Sequence, residues 1–364
     1  MDETFEIFAS VPPGLEPLLL DEVRAAGFAQ PAQVPGGVTF QGGWAEVARA
    51  NRELRGAGRV LARFASFRAM HLAQLDKRAR KLDWGAVLRA DVPVRVEVTC
   101  RNSKIYHDRA ARQRVEGAIA ETVGAPVLKE ASDEAVRIML RIEDDLAVFS
   151  VDTSGEPLHR RGLKQQVGKA PMRETLAALF LRACGYDGTG PVVDPMCGSG
   201  TFVIEAAEIA AGLAPGRARG FALDRLAIPV PEAPQQVRRE VGARFFGSDR
   251  DDGAIRMSQA NADRAGVADL CTFTRAAISD LQRPDGPPGL VMVNPPYGAR
   301  IGNRKLLFAL YGSLGAVLRD RFGGWRLGMV TSDGGLAKAT GLDLTAGPPV
   351  SFGGLKVKLY QARL

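Results

Sequence analysis

The 364-residue sequence is poor in the residues from which metal centres and disulfide frameworks are built: three histidines and four cysteines in all. Cys100, Cys184, Cys197 and Cys271 stand far apart, with no C-x-x-C pair among them. That spacing offers no zinc site and no cross-linked scaffold. No apolar run of about 18 residues occurs. The start, MDETFEIFASVPPGLEP, lacks a basic segment followed by an apolar one. The expectation is a cytoplasmic, reduced protein with no metal and no membrane partner.

What is present is ordinary globular material. Hydrophobic residues make up 46% and charged residues 24%, which argues against disorder, and the length predicts more than one core. Lys and Arg number 48 against 41 Asp and Glu, a formal charge of +7. Such a balance suits a nucleic-acid partner, and it equally suits an arginine-rich solvated surface.

Periodicity divides the chain into two parts. In the first, strands at 5–9, 37–40 and 60–67 mix with helices at 14–26 and 44–52. PVRVEVT at 93–99 alternates at period two, and 136–142 and 146–151 form an antiparallel pair around Glu143-Asp144-Asp145. This order predicts an α+β architecture. A polar, basic stretch, DTSGEPLHRRGLKQQVGKA at 152–170, then reads as a linker. Beyond it, helices alternate with buried-looking strands at 190–194, 243–249, 270–275, 290–294 and 326–331, the pattern of a doubly wound α/β sheet. Residues 212–242, rich in Pro, Gly and Arg, read as an inserted surface excursion.

Four strand ends carry the chemistry. The first runs into Asp194-Pro195-Met196-Cys197-Gly198-Ser199-Gly200-Thr201 and at once into the helical run FVIEAAEIAA. Glycines let backbone N–H groups approach a ligand, and the helix start favours an anionic group such as a carboxylate. A nucleoside triphosphate loop would need GxxxxGK[ST], which is missing. Cys197 reads as a packed thiol. The octet resembles motif I of class I methyltransferases, in the branch that acts on amino nitrogens.

The second strand, in RFFGSDRDDGAIRMSQANADRAGV, ends in Asp249. An acid there accepts hydrogen bonds from ribose hydroxyls in doubly wound folds. Asp251 is the predicted N-cap of the next helix, whose apolar side holds Ala254, Met257 and Ala260. By resemblance Asp249 is the ribose acid, with Arg250 beside the adenine. At the third strand end, such methyltransferases carry an acid for the adenine amino group. Here the aligned residue is Ala277, with Asp280 three residues later. Either the backbone near Ala277 and Ile278 holds the adenine, or Asp280 reaches it. The fourth strand runs into Asn294-Pro295-Pro296-Tyr297, where two prolines end the ladder and stiffen the exit.

Over nearly its whole length the chain resembles the THUMP-domain RNA guanine-N2 methyltransferases. FASVPPGLEPLLLDEV looks like that family's opening ferredoxin-like segment, SKIYH with the basic helix after it like part of THUMP, and DTSGEPLHRRG like its linker. APMRETLAA, DPMCGSGT and NPPYGARIG follow in family order, whereas SFGGLKVKLYQARL departs from the Asn-Gly turn usual before the last strand. The resemblance implies a ferredoxin-like domain at 1–65, a THUMP RNA-binding domain at 66–155, a linker at 156–170 and a Rossmann-like methyltransferase domain at 171–364. It implies S-adenosylmethionine as cofactor, bound by Asp194, Pro195, Cys197, Gly198, Ser199, Gly200, Thr201, Asp249, Arg250, Ala277, Ile278 and Asn294.

Catalysis would rest on Asn294, Pro295, Pro296 and Tyr297. An exocyclic base amine is a weak nucleophile because its lone pair is delocalised into the ring. Acceptors at the Asn294 side chain and the Pro295 carbonyl would draw on its N–H bonds while Tyr297 stacks on the base. The implied substrate is guanine N2 in structured RNA, tRNA or 23S rRNA, gripped near Arg101, Lys104, His107, Arg109 and Arg112 by a monomer. Adenine-N6 methylation of DNA or RNA, glutamine methylation of a protein, and a non-catalytic RNA-binding assembly factor remain open alternatives.

Overall fold

The structure, a computed structural model, describes residues 4–130, 132–164, 172–297 and 304–364. The last part of the expected linker, 165–170, and the GARIG end of the fourth-strand motif lie outside them. The chain forms two compact units. One comprises 1–11, 20–158 and 219–234, the other 12–19, 159–218 and 235–364.

The first part of the chain runs β1 (Phe5–Ser10), α1 (Glu16–Ala25), β2 (Ala29–Val34), β3 (Gly37–Gly42), α2 (Trp44–Glu53), β4 (Val60–Arg68), α3 (Leu72–Ala79), β5 (Val94–Arg101), α4 (Asp108–Thr122), β6 (Val136–Glu143) and β7 (Leu146–Asp152). Its strands build one seven-stranded sheet in the order β2-β3-β1-β4-β7-β6-β5. Period-two burial explains the register. Val136, Ile138, Leu140 and Ile142 of β6 and Ala147, Phe149 and Val151 of β7 are all buried. Trp84, fully buried, packs edge-on against Phe64 and Phe149, both at 5.7 Å between ring centres.

Residues 219–234 belong to this first unit, which corrects the reading of 212–242 as a surface excursion only. Arg219 donates to the carbonyl oxygens of Ser154 (3.1 Å), Glu156 (2.9 Å) and Pro157 (2.9 Å). Leu223 N–H donates to Thr153 O at 2.9 Å and Ala227 N–H to Val87 O at 3.0 Å. Backbone groups that a free loop would leave to water are thus satisfied by protein.

The second part holds α5 (Glu174–Ala183), β8 (Val192–Asp194), α6 (Thr201–Ala210), β9 (Phe245–Asp249), α7 (Asp252–Ala265), β10 (Cys271–Arg275), β11 (Leu290–Val293), α8 (Arg304–Arg321), β12 (Arg326–Thr331), α9 (Gly334–Ala339), β13 (Thr345–Ala346), β14 (Val350–Phe352) and β15 (Leu355–Arg363). The sheet order is β10-β9-β8-β11-β12-β15-β13, with β14 paired to β15. The strands from β10 through β12 are parallel, and β15 lies antiparallel to β12. Gly353 and Gly354, at φ +56° and +83°, supply the left-handed residues that a two-residue hairpin between β14 and β15 requires. The chain steps outward from β8 to β9 and β10, then returns to place β11 on the other side of β8. A strand order that reverses in this way opens a crevice at the carboxyl ends of the strands.

Pairing is shorter than the sequence pattern suggests. β8 begins at Val192, since Pro191 has no N–H to give, and β11 stops before Asn294-Pro295 for the same reason. Behind these strands a core of Trp325, Phe322, Tyr311, Leu314, Leu318 and Met329 is fully buried. Packing there is close enough to test. A Cβ on Gly315 of α8 would run into the carbonyl oxygen of Thr340. Gly315→Ala should therefore destabilise the chain by about 1–3 kcal/mol in denaturant titration, and an unchanged midpoint would contradict the packing described.

Candidate active site

The carboxyl ends of β8, β9 and β11 converge because β8 is paired on both edges. Val192 stands opposite Phe245 on one side and Leu290 on the other. Asp194, 2% exposed, closes the end of β8, and its Oδ1 accepts the Met196 N–H at 3.1 Å. Burial, helped by the nearby charge of Asp249, pushes its carboxyl up to about 8.

Past Asp194 and the buried Pro195, the loop turns on Gly198 (φ +54°) and Gly200 (φ +79°), conformations costly to any residue with a side chain. A Cβ on Gly200 would press on Ser258 at 3.1 Å, whereas Gly198 opens onto free space. The loop is held from behind. Cys197 N–H donates to Ser248 O (2.9 Å), Ser258 Oγ donates to Gly198 O (2.8 Å) and Asn261 Nδ2 donates to Ser199 O (3.1 Å). Ser199 and Thr201 are buried, with their hydroxyls 3.4 Å apart. Cys197 is buried, and burial with the charges of Asp194 and Asp249 raises its thiol well above the ordinary range, as befits a packed group.

Ser258 and Asn261 were not foreseen, and they correct the expected face of α7. Its buried residues are Ala254, Ser258, Asn261, Ala262 and Ala265, while Met257 and Ala260 are only partly covered. Two polar side chains turn inward because the loop's carbonyls await them, which offsets the cost of burying them. The signal available was their i, i+3 spacing on a small-residue helix. Asp251 does cap α7, accepting the Gly253 N–H at 2.9 Å.

Asp249 links the first and second strand ends. Its Oδ2 accepts the Gly198 N–H at 3.1 Å and its Oδ1 the Asp251 N–H at 3.0 Å. Arg250 is exposed, with its carbonyl accepting from Arg275 Nε at 3.3 Å. At the third strand end Ala276 N–H donates to Asp249 O at 3.0 Å. Ala277 is exposed, Ile278 is half-buried and begins a short 3-10 turn, and Asp280 points from an exposed position.

The fourth strand end places Asn294 next to the glycine loop, since Val291 of β11 pairs with Val193 of β8. Asn294 Oδ1 is buried and has no hydrogen-bond partner among the described residues. A buried acceptor left open costs roughly 1–3 kcal/mol, a cost usually met by a ligand or water. Tyr297 is half-buried against the core, and burial pushes its phenol up to about 12. Pro295 is buried, and the Pro296 carbonyl accepts the Tyr311 hydroxyl at 3.4 Å, with Thr331 Oγ1 3.2 Å from the same hydroxyl. Tyr311 and Thr331 lie within apolar patterns and gave no sequence signal.

The described start of the expected linker also meets this region. Lys164 Nζ donates to Thr201 Oγ1 (2.8 Å) and Met172 O (3.2 Å) and pairs with Glu174 at 3.2 Å. Arg161 is buried against Glu205 and Glu208. Arg101, Lys104, His107 and Arg109, by contrast, are exposed residues of the first unit, at the end of β5, on the loop after it and at the start of α4. Arg112 is half-buried and lies 3.7 Å from Glu116. Tyr106, 71% exposed with its ring 4.1 Å from that of His107 and tilted by 43°, joins them unpredicted.

An open glycine turn at a helix start, an acid at the next strand end and an unpartnered buried amide oxygen at the fourth fit an adenosyl cofactor that carries a carboxylate, a ribose and a reactive methyl. The raised Asp194 sets a pH dependence. Its folded value of about 8 lies above the ordinary carboxylate value of 3.8, so its contribution is complete below pH 3.8 and is lost as pH rises through about 8. Urea unfolding of the ligand-free protein should show stability falling between pH 5 and 8, with Asp194→Asn flattening the fall. Equal slopes in both proteins would contradict the assignment.

Comparison with known proteins agrees with this geometry. Residues 161–360 match the family model of the RMKL-like methyltransferase domain, and residues 6–61 match that of the RlmL ferredoxin-like domain. The chain is 39% identical to a ribosomal RNA large subunit methyltransferase K/L of Syntrophotalea carbinolica, over 94% of this chain and 51% of that protein. It thus spans about half the length of that curated relative. A protein of Listeria monocytogenes described as a predicted N6-adenine-specific DNA methylase superposes with TM-score 0.84 at 29% identity, covering 99% of this chain and 96% of that one. A methyltransferase-like protein solved in complex with SAH gives 0.82 at 26% identity, covering 100% and 99%. TrmN of Thermus thermophilus, at 22% identity and TM-score 0.76 over the full length of both chains, shares the fold. The cofactor is S-adenosylmethionine. The chain belongs to the family of RMKL-like methyltransferase domains.

Proposed function

We propose that this chain transfers the methyl group of S-adenosylmethionine to N2 of a guanine in large-subunit ribosomal RNA. The observation that carries the reading is the buried Asn294 Oδ1, without a hydrogen-bond partner among the described residues, at the strand end beside the glycine loop. The ribosomal RNA activity named for the K/L relative supports the substrate class. A tRNA target belongs to the same chemistry.

When bound, the cofactor supplies an electrophilic methyl on a sulfonium. The chain's own residues do the rest. Gly198, Ser199, Gly200 and Thr201 present the start of α6 to the carboxylate, with Asp194, Pro195 and Cys197 shaping the turn. Asp249 accepts from the ribose hydroxyls in place of its present backbone donors. Arg250, Ala277 and Ile278 border the adenine. Asn294 Oδ1 and the Pro295 carbonyl accept the two protons of the base amine, favouring a nitrogen whose lone pair faces the methyl. Tyr297 stacks on the extruded base, with Pro296 fixing its approach.

The domain organisation belongs to the same proposal: a ferredoxin-like segment at 1–65, a THUMP RNA-binding segment at 66–155, a linker at 156–170 and the methyltransferase domain at 171–364. Arg101, Lys104, His107, Arg109 and Arg112 would then contact RNA phosphates, conferring affinity and register. The protein would act as a cytoplasmic monomer. A second reading, N6 of adenine in DNA, is favoured by the description of the Listeria protein and by the same Asn-Pro-Pro-Tyr chemistry.

Purified protein with labelled cofactor, offered large-subunit rRNA, tRNA and duplex DNA in parallel, separates the readings. N2-methylguanosine in digested rRNA or tRNA is the expected product, and label confined to N6-methyladenine would overturn the proposal. Asn294→Ala should lower turnover by on the order of 10²–10³, a loss far larger than the accompanying change in calorimetric affinity for S-adenosylmethionine. A variant as fast as wild type would remove Asn294 from catalysis.

A further inference from the structure

The carboxyl end of β12, the parallel neighbour of β11, carries a carboxylate with one oxygen committed to the fold and the other in a long ion pair. Asp333 caps α9, its Oδ1 accepting the N–H groups of Gly335 (2.8 Å) and Leu336 (3.2 Å). Among the described residues its Oδ2 has one distant ion-pair neighbour, Arg304 at 3.9 Å, whose side chain is 78% exposed. Cap geometry alone needs one oxygen, so Asp333 keeps acceptor capacity in reserve.

The same residue is tied to the Asn294–Tyr297 turn. β11 and β12 are parallel neighbours with Val293 opposite Met329. Thr331 Oγ1 accepts the Asp333 N–H at 3.2 Å and lies 3.2 Å from the Tyr311 hydroxyl, which also donates to Pro296 O. Two hydroxyls thus bridge the backbone of Asp333 to the carbonyl that precedes Tyr297. Tyr297 packs against the same buried cluster that holds Tyr311.

We propose that Asp333 is a specificity-determining residue, its Oδ2 accepting the N1–H of the target guanine while Asn294 and Pro295 accept the N2 amine. This rests on the guanine-N2 reading above. The chemistry discriminates between bases: guanine presents two adjacent donors, N1–H and N2–H, to two acceptors, whereas the ring nitrogen of adenine or 2-aminopurine at that place is itself an acceptor and meets the carboxylate lone pair against lone pair. Polar sites built for one donor pattern reject its inverse far more strongly than apolar pockets reject a change of size.

The test uses the full chain and a synthetic RNA hairpin around the nucleotide mapped by mass spectrometry, made with guanine or with 2-aminopurine at that position. Wild type should prefer guanine. Asp333→Asn preserves the cap, since Asn and Asp cap helices equally well, and offers an amide donor to the 2-aminopurine ring nitrogen. The guanine to 2-aminopurine ratio of kcat/KM should drop on the order of tenfold or more, with melting temperature and S-adenosylmethionine affinity unchanged. Asp333→Ser, also a good cap, should lose guanine activity without gaining activity on 2-aminopurine. A wild type that methylates the guanine hairpin while Asp333→Asn leaves the ratio unaltered, or lowers both substrates together, overturns the assignment of Asp333 alone. A wild type that leaves the guanine hairpin unlabelled removes the guanine-N2 reading and this one with it.

Discussion

Strand β8 is three residues long, and the crevice depends on its parallel hydrogen bonding to β9 on one side and β11 on the other. Were either ladder shifted by a residue, the glycine loop, Asp249 and Asn294 would leave a common edge, because a one-residue slip sends each side chain to the opposite face. So short a strand cannot hold that register by itself. Backbone and side-chain bonds behind the loop do it: Cys197 to Ser248, Gly198 to Asp249, Ser258 to Gly198 and Asn261 to Ser199. Each contributes about 1 kcal/mol net, and a lost one would expose a buried polar group at larger cost.

Electrostatics divides the labour between two acids one strand apart. Asp194, enclosed and pushed up to about 8, serves the backbone turn, while Asp249, half-exposed at the crevice, carries bonds that a ligand can exchange. Two ionised carboxylates so close would repel, and burial of one lets the other remain available. The family membership and the pairing of strands therefore tell one story, in which the fourth strand end is kept rigid by prolines and its amide oxygen is kept open.

Much of this was legible in the sequence because it is written locally. The alternation of helices with short apolar strands, the Asp194 to Thr201 turn, the Ser248-Asp249 strand end and Asn294-Pro295-Pro296-Tyr297 each need only a dozen neighbouring residues to read. The illegible parts are those that depend on distant partners. Ser258, Asn261 and Tyr311 carry no local mark that sets them apart, and only the folded chain shows that loop carbonyls face them, as it shows Thr331 beside the Tyr311 hydroxyl. β2 was missed because AQPAQV is polar, holds a proline and forms an exposed sheet edge. α3 buries only Leu75 and Ala79, too few positions to mark a period. The fixed part of 219–234 was illegible for the same reason: Arg219 finds its three carbonyl partners at residues 154, 156 and 157, more than sixty positions away.

The central claim is that a donor sulfur and an acceptor amine meet between the ends of β8 and β11. A crystal structure of the chain with S-adenosylhomocysteine tests it most directly. The account predicts ribose hydroxyls on Asp249, the carboxylate at the glycine loop and the sulfur turned toward the Asn294 amide. A ligand seated elsewhere, or a sulfur facing away from Asn294, would contradict it.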